Sequence, residues 1–241
     1  MHYPRITPAG DSAILVEFGA TYSKSVSRAV RAFDSALSDS DTEGIVETAP
    51  TLRSVLIRYD PAVTDPESLE NWCNAQLAAS DWFKVECTAD ASIWRIPVLY
   101  GGDDGPDLDE TAELAGLSAA QLIDLHSTSE LTVLCLGFAP GLAYLAELPE
   151  EFAVPRRRTY GRPVKAGSIL VANRQTVLPA TPIPTGWRSI GVTPLPTFLS
   201  YRRHPFLLAP GDRVKFEPIL ASEAAGFDFG PYWQRLENER P

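Results

Sequence analysis

The 241-residue chain contains three cysteines, three histidines and one methionine, and these scarcities narrow its chemistry at once. Cys73, Cys87 and Cys135 are too few and too scattered for a disulfide framework or a CxxC-type zinc site. Each lies beside apolar residues, so all three are expected to be buried free thiols. The sequence also lacks a GxSxG elbow, which together with so few histidines argues against a Ser-His-Asp or Cys-His engine. Neither GxxxxGK[ST] nor GxGxxG occurs, so no short motif cradles a nucleotide phosphate. No apolar run approaches the roughly 20 residues of a membrane span. The start, "MHYPRITPAGDSAILVEFG", shows no basic segment followed by an apolar block, and the expectation is a cytoplasmic protein. Basic residues are in deficit, 21 against 31 acids for a net charge of −10, which argues against general binding to nucleic acid or anionic membranes.

What is present is an ordinary globular composition, 44% hydrophobic and 22% charged, in a chain long enough to bury a core. Residues 1–90 alternate strand-like and helix-like runs. "SAILVEF" reads as a strand. After a Ser23 cap, Val26, Ala29, Val30, Phe33 and Leu37 fall on one helical face. "IVETAPTLRSVLIRYD" holds two strand-like runs. Thr64 and Glu67 then have capping-box spacing ahead of a stripe of Leu69, Trp72, Cys73 and Leu77, and "FKVECT" supplies a last strand. The order βαββαβ predicts a ferredoxin-like, split βαβ domain, and an α+β class for the whole chain.

Residues 91–241 read differently. "IWRIPVLYGG" is followed by two short helices, with Asp107/Glu110 and Ser118/Gln121 as N-terminal caps and Gly116 as the stop of the first. Fourteen of the 21 prolines lie from Pro140 onward, between runs such as "GSILVA", "WRSIGVTPL", "TFLSY" and "DRVKFEPI". That pattern predicts a β-barrel or sandwich with a helical insertion. The C-terminal tail is expected to dock through Phe227, Phe229, Tyr232 and Trp233.

Several stretches are candidates for chemistry. "GGDDGPDLDE" lacks the alternate acids of a calcium loop and reads as a solvated turn into a helix, so no metal site is expected. His126, at the end of a helix, is expected to cap it as a cation. "PRRRTYGRPVKAGS" brings Arg156, Arg157, Arg158, Arg162 and Lys165 together, either as an anion site or as partners of acids on this chain or another subunit. "AGSILVANRQTVLP" adds Ser168, Asn173, Gln175 and Thr176, neutral groups suited to recognising an amide or holding an oxyanion. In "LTVLCLGFAPGLAYL" an apolar run turns at Gly137 to Gly141 and resumes toward Tyr144, as the wall of a site or as a packed barrel corner.

Taken in order, "GDSAILVEFG", "TLRSVLIRYDP", "IPVLYGGDDGPDLDE", "TVLCLGFAPGLAYL", "PRRR", "AGS", "GW", "IGVTPL" and "FLLAPGDRVKFEPI" resemble the KipI / PxpB family, also called allophanate hydrolase subunit 1. The resemblance implies a ferredoxin-like domain followed by a cyclophilin-like β-barrel. It implies a KipA/PxpC-type partner subunit and, in bacteria, a LamB/YcsF-type PxpA subunit, the assembly opening the lactam of 5-oxoproline to glutamate with ATP. Other relatives imply an allophanate- or urea-related amidolyase subunit, or a KipI-like inhibitor of a histidine kinase. Within such an amide or lactam site, Gln175 and Thr176 are expected to act catalytically, orienting the amide or developing oxyanion. Arg156 or Arg157 would take the anionic group, with Phe138, Tyr144, Ser168 and Trp187 as further substrate contacts and Gly137, Pro140 and Gly141 forming the turn. The family pattern AGNQTGIYPxxSPGGW is altered here to "ANRQTVLPATPIPTGW", so that Asn173 and Arg174 replace Gly-Asn and Val177 replaces glycine.

Overall fold

The computed structural model describes residues 2–40, 42–85, 93–160 and 163–239, which divide into two compact units, Met1–Asp90 and Ala91–Pro241. The first unit contains β1 (Arg5–Pro8), β2 (Ala13–Glu17), α1 (Lys24–Asp39), β3 (Ile45–Pro50), β4 (Ser54–Tyr59) and α2 (Pro66–Ala79). Its sheet is antiparallel in the order β1-β2-β4-β3. Ile14, Val16, Val55 and Ile57 alternate onto one face and pack against Ala29, Val30 and Phe33 of α1 and Leu69 and Cys73 of α2. Ser23 caps α1 by accepting from the Val26 N–H.

Three local details differ from the sequence pattern. The cap of α2 is Asp65, which accepts from the Ser68 N–H at 2.9 Å, and not Thr64. Pro66 fits the first helical position, having no N–H to lose, and this makes the preceding residue the cap. Strand β1, too brief for periodicity to show, occupies the edge beside β2. The expected strand "FKVECT" begins in a turn at Phe83 and Lys84; residues 86–88, including Cys87, lie outside the described residues.

The buried carboxylate of Glu17 ties this edge down. Arg5, its register partner on β1, donates to it at 2.6 Å, and Arg53 donates to the other oxygen. Desolvation opposes the charge, but the two guanidinium hydrogen bonds outweigh it and hold the carboxyl below its ordinary value.

The second unit is built from β5 (Ile93–Tyr100), α3 (Leu108–Leu114), α4 (Ala119–Thr128), β6 (Leu131–Leu136), β7 (Ala143–Ala146), β8 (Ser168–Ala172), β9 (Gln175–Leu178), β10 (Arg188–Val192), β11 (Arg213–Pro218), α5 (Ala221–Ala224) and α6 (Gly230–Glu239). The strands close a barrel in the order β10-β5-β11-β6-β7-β9-β8. Only β5 and β11 pair in parallel among the described strands of this barrel. Alternation sends Trp94, Ile96, Val98, Leu145, Ile169, Val171, Leu178 and Phe216 into one core. The α3–α4 insertion starts and stops as its residues dictate. Gly116 leaves α3 at φ 71° while the Leu117 N–H reaches back to the Ala112 carbonyl, and Ser118 and Gln121 form a capping box. Trp233 and Leu236 of α6 are fully buried against the same core, with Phe227, Phe229 and Tyr232 packed around them.

"TFLSY" forms no strand. Phe198 makes only an isolated bridge to Phe206, in a segment where Pro194, Pro196 and Pro205 remove ladder donors. Cys73 is buried and Cys135 half-buried, both as free thiols; burial pushes their pKa values up to about 12 and about 11. Among the described residues no helix is long and apolar enough to cross a membrane, and no group of three or more His, Cys, Asp or Glu is placed to hold a metal ion.

Replacing Glu17 by Gln should cost about 2 kcal/mol at neutral pH, the scale of a hydrogen bond to a charged group. Because the native carboxyl titrates below the unfolded one, this stabilisation is full above the unfolded pKa and is lost as pH falls through the native value. Denaturant unfolding of wild type and E17Q at neutral pH and near pH 3 should therefore show the gap closing in acid.

Candidate functional site

The barrel wall formed by β7, β9 and β8 is buried on both faces. Ala143, Leu145, Ile169, Val171 and Leu178 point into the core, whereas Leu170, Ala172 and Val177 point outward and join Leu142, Ile183, Trp187 and Tyr144 in a second apolar cluster. On this outer face lies a cleft of about 270 Å³. Tyr144 and Val177 line its floor, Phe138 and Leu142 one side, the segment from Ile183 to Trp187 another, and Arg156, Arg157, Arg158 and Tyr160 the rim.

The turn between β6 and β7 both packs the corner and walls the cleft. The Gly137 N–H donates to the Leu142 carbonyl, and the Leu142 N–H to that of Ala139, closing the loop around Pro140. Gly141 sits at φ +73°, and a Cβ there would come within 2.5 Å of Phe198 Cβ, so both backbone angle and space demand glycine. Gly137 has no such need: a Cβ would meet nothing within 4 Å. Phe138 adopts φ 70°, a strained value for an aromatic residue, and is 76% exposed at the cleft.

The three consecutive arginines have different fates. Arg156 lays its guanidinium over the Trp187 ring at 4.5 Å and has no carboxylate partner among the described residues. Arg157 turns toward α3, donating to Asp107 at 2.8 Å and also to Glu110, while its own N–H is held by the Gly186 carbonyl at 2.7 Å. A Cβ on Gly186 would approach the Arg157 carbonyl to 2.7 Å, so this glycine permits the close seam between the two segments. Arg158 is exposed on the rim, and Arg162 lies outside the described residues.

The spacing predicts a side-chain cap of α3 by Asp107, but Asp107 makes no such bond. Its carboxylate is shared between Arg157 and the Ser189 N–H at 2.8 Å, stronger partners than the helix end because one carries a full charge. Glu110 bridges Arg157 and the buried Arg188, the latter at 2.6 Å; these hydrogen bonds, Arg188 first, hold its carboxyl below the ordinary value.

Other expected site residues are placed elsewhere. Gln175 shares the outward face of β9 with Val177 by alternation but does not line the cleft. Thr176 is fully buried in the barrel, its hydroxyl 3.0 Å from His126 Nε2. Ser168 lines an adjoining cleft of about 250 Å³, on the side of Lys165 and Asp104, which shares only Arg157, Thr185 and Trp187 with the first. Phe138, Tyr144, Arg156, Arg157 and Trp187 are brought together; Ser168, Gln175 and Thr176 do not join them. Tyr160, Ile183 and Thr185 also line the cleft without having stood out in the sequence, and Arg158, read there only within a possible anion cluster, joins them.

His126 is not a charged cap. It lies in the last turn of α4, but its ring enters the barrel, stacks on Phe216 at 4.7 Å and shares a 2.7 Å hydrogen bond with the Tyr100 hydroxyl. Desolvation pushes its pKa down to about 3, so the imidazole is neutral and links Tyr100 to Thr176. Nearby, the altered hairpin between β8 and β9 keeps left-handed angles without glycine: Asn173 is at φ 48° and Arg174 at φ 62°. The Arg174 side chain donates to the Leu148 carbonyl and pairs with Glu147 and Glu150, which offsets the backbone cost.

Thr176→Val should lower stability by about 1–2 kcal/mol by leaving the buried imidazole one partner short. Ligand affinity at the cleft should be unchanged, as checked by chemical unfolding alongside calorimetric binding.

Comparison with known proteins agrees with this architecture. The family model "Carboxyltransferase domain, subdomain C and D" matches residues 4–208. The 5-oxoprolinase B-subunit of Bacillus subtilis (strain 168) is 34% identical over 227 residues, covering 89% of this chain and 92% of that protein. The protein of the same name from Escherichia coli O157:H7 is 38% identical over 179 residues, 74% of this chain and 80% of that one. The solved K. lactis urea amidolyase shares the fold, with a TM-score of 0.71 at 17% identity over 97% of this chain, which spans 17% of that larger protein. By sequence match over most of its length, the chain belongs to the family of 5-oxoprolinase B-subunits, the PxpB / KipI proteins.

Proposed function

We infer that this chain is one subunit of an ATP-dependent amide-hydrolysing complex of the 5-oxoprolinase type, which opens 5-oxoproline to L-glutamate. The observation that carries the reading is Arg156. In a chain of net charge −10, an arginine without a carboxylate partner among the described residues is held over an indole at a cleft with aromatic walls, and the relatives matched over most of the chain are named as 5-oxoprolinase B-subunits. Stacking occupies the face of the guanidinium and leaves its in-plane N–H fork for a carboxylate. Five-oxoproline offers a carboxylate beside a compact, largely apolar lactam ring, which suits the Tyr144, Val177 and Trp187 surfaces.

In this reading Arg156, and not Arg157, binds the carboxylate, since Arg157 is engaged by Asp107 and Glu110. Thr176 serves the barrel core, and Gln175 stands next to the cleft as a candidate donor toward the amide. ATP, used by the complex, supplies the phosphoryl group that activates the amide oxygen. The catalytic complement is completed by a KipA/PxpC-type subunit and a LamB/YcsF-type PxpA subunit, in the cytoplasm where ATP is available. Family membership also supports taking Met1–Asp90 as a ferredoxin-like domain and Ala91–Pro241 as a cyclophilin-like barrel domain.

Co-expression with the neighbouring subunits should give ATP-dependent glutamate formation from 5-oxoproline that vanishes when this chain is omitted. Arg156→Ala in the assembled complex should lower kcat/KM by about tenfold to a hundredfold, the value of a charge-assisted hydrogen bond. An assembled but inactive wild-type complex would redirect the search to another amide substrate, and full activity of R156A would overturn the role given to Arg156.

A further inference from the structure

We propose that the cleft is built for a ligand with two anionic groups, with Arg158 as the second anion-binding residue beside Arg156. This deepens the reading above and rests on it for the identity of the ligand. The segment around Pro155 to Arg158 carries three guanidinium groups in a row. A single neighbouring pair of acids, Asp107 and Glu110, takes the middle one. The Arg157 side chain is thereby fixed toward α3, and its N–H is fixed to the Gly186 carbonyl. Arg156, Arg157 and Arg158 all line the cleft, and because Arg157 is engaged by Asp107 and Glu110, Arg156 and Arg158 are left as the cleft's uncommitted guanidinium groups. Both are exposed, both line the cleft, and neither has a carboxylate partner among the described residues.

The acids that would neutralise this rim are occupied elsewhere. Asp107 is divided between Arg157 and the Ser189 N–H, Glu110 between Arg157 and Arg188, and Asp104 meets Lys165 at 2.9 Å. Two unneutralised cations at a cleft of about 270 Å³ exceed what one carboxylate requires. They match a small molecule with anions at both ends: an amide whose oxygen has been phosphorylated while its carboxylate remains, or a dicarboxylate of glutamate length. Formation of the first transfers the γ-phosphoryl group of ATP to the amide oxygen, breaking the bond to ADP. Attack by water on the amide carbon gives a tetrahedral centre whose C–N bond then breaks, opening the ring to an acyl phosphate as the nitrogen takes up a proton, and a second water displaces inorganic phosphate from that acyl carbon to leave glutamate. Arg158 would hold the phosphoryl oxygens through those steps while Arg156 keeps the carboxylate.

The test is calorimetric binding of glutarate, with two carboxylates, against 5-oxoproline, with one, to the full chain co-purified with its partner subunit. Wild type should prefer glutarate by about tenfold, the scale of one added charge-assisted pair. Arg158→Gln should erase that preference while leaving 5-oxoproline affinity unchanged, Arg158→Lys should restore part of it, and Arg156→Gln should weaken both ligands. A glutarate preference that survives in R158Q, or no measurable glutarate binding to wild type, overturns the proposal. A retained preference in a complex that makes no glutamate from 5-oxoproline would leave the two-anion cleft standing and strike the lactam assignment alone.

Discussion

The wall of β7, β9 and β8 has to satisfy two apolar environments at once, and much of the second unit follows from that constraint. A strand covered on one face reads as alternating apolar and polar residues, whereas one covered on both reads as a nearly unbroken apolar run. Ile169 and Val171 belong to the barrel core and Leu170 and Ala172 to the outer cluster, so "SILVA" has no polar face to offer water. Burying the outer face requires a lid, supplied by the turn at Gly137 to Gly141 and by the segment ending at Trp187. The cleft is the part of that outer face which the lid leaves open.

The lid is held by charge as well as by packing. Asp107 and Glu110 stand one helical turn apart at the start of α3 and meet Arg157 and Arg188 from two different chain segments. Such pairs add little at an open surface, but Arg188 is buried and Asp107 is mostly covered, so their value here includes fixing which residues lie side by side. Arg156 then rests on Trp187 because its neighbours Arg157 and Gly186 are already joined. The geometry of the cleft thus depends on Asp107, Glu110 and Arg188, which do not line it.

The β8–β9 hairpin, whose Asn173-Arg174 pair contains no glycine, is likewise held by local contacts. Asn173 tolerates a left-handed angle through its short polar side chain, and Arg174 does so while anchored by a carbonyl and two carboxylates. Further along β9, Val177 adds a methyl-bearing surface to the cleft.

Much of this was legible in the residues. The helix starts at Ser23 and Ser118, the stop at Gly116, the apolar stripes of α1 and α2 and the docking aromatics of the tail all depend on neighbours a few positions away. A linear pattern records such local chemistry directly. That Phe138, Tyr144, Arg156 and Trp187 belong to one cleft was legible for the same reason, since its motifs are compact. The division of labour within "PRRR" was not: which arginine meets an acid is decided by α3, some 50 positions away, and by the Gly186 seam. Nor did the pattern reveal that Thr176 and His126 share a buried hydrogen bond, because strand parity sets which way a side chain points only once the barrel has closed. Sequence alone determined the elements and the chemical vocabulary of the site; tertiary structure decided which charges were left unpaired, since pairing is a property of residues brought together by long-range closure.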